Sequence, residues 1–216
     1  ESGKLLMIGH VLPFFDAFNY IYQAISSNQF GKCLGGNFTR VISDPTWLKN
    51  FYSMSGSGGP MLDLHVHDAH FIRTIFGMPK AVQSVARLRG DVPEYFNTQF
   101  IYDDPNLVVT ATSGCIMQQA RPFTFSYEVH FEKATIFTDC FNQVPVTVLH
   151  EDGTIEKPEF PAGDDITPFV NELTEARNCF LSGQPSALLD GVLARDALTI
   201  CHKEIEACNT RNRAQI

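Results

Sequence analysis

The spacing of hydrophobic positions changes along the 216-residue chain, and each change predicts a different kind of element. Continuously apolar residues at Leu5 to Ile8 predict a short buried strand, and apolar side chains at helical spacing predict a helix from Phe14 to Ser27. A second strand near Gly36 to Ile42 and a second helix from Met61 to Phe76 follow, with the Gly-rich loop Ser53 to Pro60 leading into that helix. The chain therefore opens with two strand-helix pairs.

After the second helix, β-branched and aromatic residues recur in runs that turn residues separate, which is typical of successive strands. The turns at residues 103–106 (DDPN) and 151–153 (EDG) favour hairpins, so most of these strands should pair antiparallel. Two closing helices are predicted at about Thr167 to Leu181 and Gly191 to Cys208, with Asp190 as an N-cap. The predicted strands are Ala81 to Leu88, Asn97 to Tyr102, Leu107 to Gln118, Thr124 to Phe131, Thr135 to Asp139 and Pro145 to His150.

The order of these elements predicts the fold class and the division of the chain into two parts. It indicates an α+β fold, in which an open, mainly antiparallel sheet carries helices on one face in two layers. A β-α unit formed by residues 1–27 precedes this domain, which spans residues 28–216. No internal repeat or low-complexity stretch divides the chain further.

Composition and charge narrow the classes of function. The net charge of −8 argues against nucleic acid as a partner, because binding a phosphate backbone needs a basic stripe. No apolar run is long enough to cross a bilayer, so no membrane partner is expected. The widely scattered cysteines favour buried, reduced thiols in a cytoplasmic protein. These cysteines are Cys33, Cys115, Cys140, Cys179, Cys201 and Cys208.

The densest group of ionisable residues lies in the second predicted helix. On a wheel of 3.6 residues per turn, Asp63, His67, His70 and Thr74 form one polar stripe on an otherwise apolar helix. Such a stripe either satisfies its own hydrogen bonds in the core or lines a cavity, and an acid one turn from an imidazole favours the cavity. A neutral imidazole can take a hydroxyl proton while the carboxylate orients the ring, which suits the oxidation of an alcohol.

Other histidines and acids near this stripe have simpler interpretations. His65 and Asp68 point away from it on the wheel and are expected to make packing or capping contacts. His10 directly follows the first strand and could border a pocket, where it is a candidate for substrate binding together with His70. The run H-x-H-D-x-H is similar to a metal-hydrolase signature, but a helix points His65 and His67 to opposite sides, so no metal site is predicted.

Three blocks of the sequence resemble the Gfo/Idh/MocA oxidoreductases. They are residues 6–15 (LMIGHVLPFF), residues 58–77 (GGPMLDLHVHDAHFIRTIFG) and the tail from 168 to 216. The middle block carries the family pattern of a Gly-rich lead followed by D-x-x-x-H. The resemblance implies that Asp63 is the substrate-site aspartate and His67 the catalytic histidine. It also implies that residues 1–27 hold the last strand and hinge helix of a Rossmann domain.

The same resemblance implies a cofactor, a substrate class and an assembly. The intact protein would use NAD or NADP on a sugar, polyol or similar small cyclic alcohol, and would form a homodimer or homotetramer through the sheet. The family's catalytic lysine and its nucleotide-binding residues are expected upstream of Glu1, where an export signal could also lie. No cofactor-binding residue is predicted in this chain, so the chain alone is expected to be inactive.

Two other classes of function stay open on sequence grounds. The sheet domain could be a non-catalytic module for assembly or binding, which would self-associate without any nicotinamide binding by the full-length protein. A metal-dependent hydrolase would contain stoichiometric metal. The sequence does not distinguish NAD from NADP and does not identify the substrate.

Overall fold

The computed structural model describes residues 4–139 and 146–216, and in these ranges the strands form one open nine-stranded sheet. None of the helices in the same ranges is long and apolar enough to cross a membrane. The helices are α1 (Asp16–Ser26), α2 (Val66–Phe76), α3 (Thr167–Ser182) and α4 (Gly191–Thr210), with a 3-10 turn at Leu12–Phe14 and a π-helical segment at Pro60–Leu64. The strands are β1 (Cys33–Ser43), β2 (Ala81–Arg89), β3 (Val92–Ile101), β4 (Val108–Met117), β5 (Thr124–Phe131), β6 (Ala134–Asp139), β7 (Thr147–His150), β8 (Ile155–Glu156) and β9 (Ala214–Gln215).

The first long strand, β1, lies in the middle of the sheet. The strand order is β8-β7-β6-β5-β1-β4-β3-β2-β9, and β1 pairs parallel with β4 and antiparallel with β5. All other pairs in the described ranges are antiparallel. The prediction of an open, mainly antiparallel α+β sheet is confirmed.

An aromatic cluster joins the helices to one face of the sheet. Phe18 of α1 contacts Phe71 of α2 with ring centroids 5.0 Å apart, and Tyr127 of β5 with centroids 5.3 Å apart, both edge to face. The Tyr127 hydroxyl also donates to the carbonyl oxygen of Ala17 at 2.5 Å. Large buried rings remove much apolar surface from water, and the edge-to-face geometry adds to this. The cluster therefore fixes α1 and α2 against the sheet.

Most predicted elements are confirmed, with boundaries that move by a few residues. The strand Thr124 to Phe131 has the predicted limits, and the two closing helices begin where predicted. The Asp190 side chain accepts from the backbone N–H of Val192 at 2.7 Å, as an N-cap should. The start of the predicted strand Pro145 to His150 lies outside the described residues.

Three local features differ from the prediction. Leu5 to Ile8 is not a strand in the described part of the chain, because its backbone finds only one short partner: Met7 forms an isolated antiparallel bridge with Asp190. The short strands β8 and β9 were not predicted, since two residues carry too little pattern. The predicted helix Met61 to Phe76 begins as the π-helical segment and becomes α-helical only from Val66.

The cysteines that the structure describes are free thiols. Cys115, Cys179, Cys201 and Cys208 are buried, and Cys33 is half-buried. Burial raises the pKa of the Cys115 and Cys208 thiols to about 12, which keeps them protonated at neutral pH. The prediction of buried reduced thiols agrees with these residues. Cys140 lies outside the described residues.

Candidate active site

The candidate site begins at the turn that starts the polar helix. Gly59 has a positive φ of 64°, and a Cβ there would lie 2.3 Å from Cγ1 of Val92, so only glycine fits. Pro60 then opens the π-helical segment, which holds more residues per turn than an α-helix. The wheel drawn at a constant period therefore misplaces Asp63 relative to α2.

Two buried polar contacts hold this helix in place. Nε of Arg40 on β1 donates to Oδ2 of Asp68 at 2.6 Å, and both side chains are almost completely buried. Nδ1 of His65 lies 2.9 Å from Oγ of Ser113 on β4, and its Nε2 lies 3.1 Å from Oε1 of Glu204 on α4. The packing contacts expected for His65 and Asp68 are thus part of a polar network between α2, the sheet and α4.

Three histidines meet on one side of this network. The His10 ring lies 4.6 Å from the His70 ring and 5.5 Å from the His67 ring, measured between centroids. His10 and His70 are buried, and His67 is half-buried. Nδ1 of each ring, and Nε2 of His70, are buried without a hydrogen-bond partner among the described residues. The structure therefore brings together three of the four predicted site residues.

These imidazoles are held in their neutral form. Burial, together with the charges of Arg40 and His10, lowers the pKa of His67 to about 4, while Asp68 acts in the opposite direction. Burial likewise lowers the pKa of His70 to about 3, with smaller contributions from His10 and His67. At neutral pH the His67 ring carries no charge and one of its nitrogens can accept a proton.

Asp63, the fourth predicted residue, lies apart from this cluster. Its side chain is exposed on the π-helical segment, and partial burial raises the pKa of its carboxyl group. Neither a hydrogen bond nor an ion pair joins it to His67 among residues 4–139 and 146–216. The carboxylate that acts on the His67 pKa is instead that of Asp68. The predicted pairing of Asp63 with His67 therefore stays a prediction.

An aromatic cleft of about 760 Å³ lies near the site. Phe15, Phe125 and Phe160 line it, together with residues of the segment from 158 to 168. The Phe125 ring also contacts the Arg40 guanidinium, whose central carbon lies 5.8 Å from the ring centroid. This volume is in the range of pockets that bind small molecules. Phe125 therefore stands between the cleft and the charged pair beneath the helix.

Arg40 was missed by the sequence prediction. It is a lone charge in the apolar strand sequence 38–42 (FTRVI), which is a visible signal of a buried ion pair. Its partner Asp68 could not be predicted in the same way, because the predicted helix also contains Asp63 and three histidines. Within the described residues, no three His, Cys, Asp or Glu side chains are arranged to hold a metal ion.

Comparison with known protein families gives one match. A family model described as the GFO/IDH/MocA C-terminal domain matches residues 18–137. No curated protein sequence matches the chain. Residues 18–137 make up more than half of the chain and contain the whole candidate helix.

Solved structures show the same fold at low sequence identity. Levoglucosan dehydrogenase in complex with NADH and L-sorbose aligns with a TM-score of 0.84 at 15% identity, covering 100% of this chain and 67% of that chain. UDP-N-acetylglucosamine 3-dehydrogenase from Acidithiobacillus ferrooxidans aligns with a TM-score of 0.75 at 18% identity, covering 95% of this chain. The chain spans 62% of the length of the Acidithiobacillus enzyme.

The His65–Glu204 contact should make stability depend on pH. Burial lowers the pKa of His65, but the carboxylates of Glu204 and, to a smaller extent, Asp68 together raise the pKa above the ordinary value of 6.5. The protonated ring therefore stabilises the fold most below pH 6.5, and this contribution is lost as the pH rises through the raised pKa. We expect Glu204→Gln to be less stable than wild type in urea unfolding at low pH, with a gap that narrows above pH 6.5.

The matched control lies on the same helix. Glu206 is exposed and accepts from Lys203 at 2.8 Å, so Glu206→Gln should change the free energy of unfolding little at any pH. A gap between wild type and Glu204→Gln that stays constant or widens with rising pH would contradict the raised His65 pKa.

Proposed function

Because the chain belongs to the GFO/IDH/MocA family through its C-terminal domain, we propose that it is the substrate-side part of an NAD(P)-dependent oxidoreductase. The reaction we propose moves hydride between nicotinamide and a carbohydrate-like hydroxyl or carbonyl group. The observation that carries this proposal is a half-buried, uncharged imidazole on a helix that buried ion pairs hold still. This arrangement suits a group that accepts or returns one proton.

His67 is the proposed acid-base residue. In the oxidation direction its free nitrogen accepts the proton of the substrate hydroxyl as hydride leaves the same carbon. The His10 ring lies edge-on to the His67 ring, with centroids 5.5 Å apart, so it excludes water from one side of that ring and helps to lower its pKa. We propose that Asp63 acts from the exposed side, where its carboxylate accepts a substrate hydroxyl and orients the reacting carbon.

The nicotinamide itself does not fit residues of this chain. The 216 residues contain no G-x-G-x-x-G fingerprint, and the Gly-rich stretch at 56–59 forms a turn in which the N–H of Gly58 donates to the carbonyl oxygen of Ser53 at 3.0 Å. When bound in an intact enzyme, nicotinamide supplies the hydride acceptor. The part assigned to this chain is to bind and orient the substrate and to move its proton.

Relatives indicate the class of substrate. Levoglucosan dehydrogenase has been solved with NADH and levoglucosan, at a TM-score of 0.82 and 16% identity. The Acidithiobacillus relative is named for a nucleotide sugar. We propose a sugar, polyol or similar cyclic alcohol for this protein, because the aromatic cleft beside the site offers faces on which a sugar ring can pack.

Replacing His67 with Asn should abolish most turnover. Asn keeps a polar side chain of similar size but cannot take a proton, so we expect kcat to fall by about 10²- to 10⁴-fold with little change in KM. Initial rates of nicotinamide reduction by the full-length protein, measured across a panel of neutral sugars and polyols, provide the readout. Asp63→Asn should cause a smaller loss.

The control for this variant is His130→Asn. His130 is exposed on β5, and its Nδ1 lies 3.3 Å from Oγ1 of Thr135. Its replacement should leave kcat and KM unchanged. A His67→Asn protein that turns over at the wild-type rate would remove His67 from the mechanism.

The pH profile should report the low pKa of the proposed base. His67 is neutral above its pKa of about 4, so kcat/KM for oxidation should fall only as the pH approaches that value. We expect an acid limb well below pH 6.5 in wild type and no such limb in the residual activity of His67→Asn. A fall in the wild-type kcat/KM that is centred at pH 6.5 or above would instead indicate an imidazole with the pKa of a solvent-exposed histidine.

We further propose that the protein forms a homodimer or homotetramer through the open face of the sheet. This face carries few charges, and its central rows hold Asn37–Thr110 and Asn97–Thr112 hydrogen bonds of 2.8 Å each. Val85, which pairs with Asn97 across β2 and β3, is 66% exposed. A second copy would cover this surface.

Val85→Glu should weaken this assembly. A buried, unpaired carboxylate at an interface is costly, so sedimentation equilibrium should show a smaller species than wild type. Leu173→Glu, at an equally exposed residue on helix α3 and not on the sheet, is the matched control and should assemble normally. A wild-type monomer, or an unaltered assembly of Val85→Glu, would contradict the sheet interface.

A further inference from the structure

Arg40 is held in one orientation beneath the candidate site. It lies on the central strand β1 with 5% of its side chain exposed, and its Nε donates to Asp68 at 2.6 Å. The guanidinium carbon lies 5.6 Å from the centroid of the Phe123 ring and 5.8 Å from that of Phe125. A charge-assisted bond and two aromatic faces therefore fix the plane of the guanidinium group.

One terminal nitrogen of this group is left without an acceptor. Nη2 of Arg40 is buried and has no hydrogen-bond partner among residues 4–139 and 146–216. A buried charged donor that is left unpaired costs more free energy than an ordinary hydrogen bond contributes. Nη2 of Arg40 is therefore free to donate a hydrogen bond to an oxygen atom that does not belong to these residues.

The position of this donor connects it to the proposed chemistry. Asp68, to which Arg40 is bound, directly follows His67 in the chain on α2. Arg40 is also close enough to His67 for its charge to lower the pKa of that ring. The free Nη2 donor thus lies in the same region of the molecule as the proposed acid-base residue.

The charges around Nη2 indicate the kind of oxygen that fits. Asp68 already balances the charge of Arg40, and His67 and His70 are neutral. An anionic group would therefore gain little net attraction here, whereas a hydroxyl or carbonyl oxygen needs only the free N–H.

The surroundings also provide a path for such a molecule. Phe125 contacts the guanidinium group and also lines the aromatic cleft. Phe123 contacts the guanidinium group from the same side, since its ring centroid lies 5.6 Å from that of Phe125, and it is 40% exposed. A molecule that packs on these two rings would therefore lie beside the guanidinium group.

We propose that Arg40 is a specificity-determining residue that donates a hydrogen bond from Nη2 to an uncharged hydroxyl or carbonyl oxygen of the substrate. This proposal rests on the proposed function of the same site, since it assumes that His67 acts on that substrate. It predicts a preference for neutral polyhydroxy compounds over the corresponding sugar acids.

The test compares Arg40→Lys with wild type in the full-length protein. Lysine keeps the positive charge that pairs with Asp68 but has no second terminal nitrogen. The probes are the neutral sugar that wild type oxidises fastest in a panel, its monodeoxy analogues and its uronic acid. We expect KM for the sugar to rise about 10-fold or more in Arg40→Lys, with kcat within a few-fold of wild type.

The deoxy analogues separate a direct contact from a structural effect. The analogue that lacks the bound oxygen should bind wild type about as weakly as the parent sugar binds Arg40→Lys. The Arg40→Lys variant should bind this analogue and the parent sugar equally well. An Arg40→Lys protein that keeps the wild-type KM and discrimination would overturn the proposal. So would a wild type that prefers the uronic acid or uses none of the neutral sugars.

A parallel measurement separates this proposal from the proposed function. His67→Asn should lose turnover, whereas its affinity for the sugar, measured by calorimetry, should stay unchanged. If His67→Asn keeps its turnover, only the role of His67 is rejected, and the role of Arg40 is not. Circular dichroism checks that Arg40→Lys is folded. If the variant does not fold, the test uses NMR spectra of wild-type protein that contains nitrogen-labelled arginine. The Arg40 side-chain signals should shift when the sugar is added, and unchanged signals would overturn the proposal.

Discussion

The structure depends on a set of buried charges that ties one helix to the sheet beneath it and to the last helix of the chain. Arg40 and Asp68 bind α2 to the central strand, while His65 and Glu204 bind it to α4. Removing one member of a buried pair leaves the other charge without compensation, at a cost of about 3–5 kcal/mol. The helix therefore cannot slide or rotate without breaking these contacts. His67 lies between His65 and Asp68 in the chain, so its position is fixed by its neighbours.

The same burial sets the electrostatic character of the site. Desolvation favours uncharged imidazoles, and the cluster of His10, His67 and His70 reinforces this because each ring would be repelled by a charged neighbour. His65 shows the opposite outcome only two residues away, since Glu204 lies against its ring. Two histidines separated by one residue thus have pKa values shifted in opposite directions because their partners differ, although both are withdrawn from water.

Much of this architecture could be predicted from the sequence, and the failures have physical causes. The limits of Thr124 to Phe131 were predictable because turn residues flank an alternating strand, and Asp190 was a recognisable cap. The π-helical start of the polar helix was not predictable, because a wheel assumes one period throughout. The three-histidine cluster needed His10 from a distant segment, which hydrophobic spacing cannot place. The unpaired Nη2 of Arg40 could not be predicted either, because it depends on the positions of neighbouring atoms in the folded structure.

The central place of β1 has a consequence for how the chain folds. Its parallel neighbour lies far downstream, as the Asn37–Thr110 contact across 73 residues shows, and its other neighbour is more distant still. Pairings between remote segments are slow to form, because a long loop must close before any contact stabilises it. A nascent chain thus leaves both edges of this long strand unpaired until β4 has been synthesised, and one edge unpaired until β5 follows. Such a strand is a site for aggregation, so we expect refolding yields to depend strongly on protein concentration.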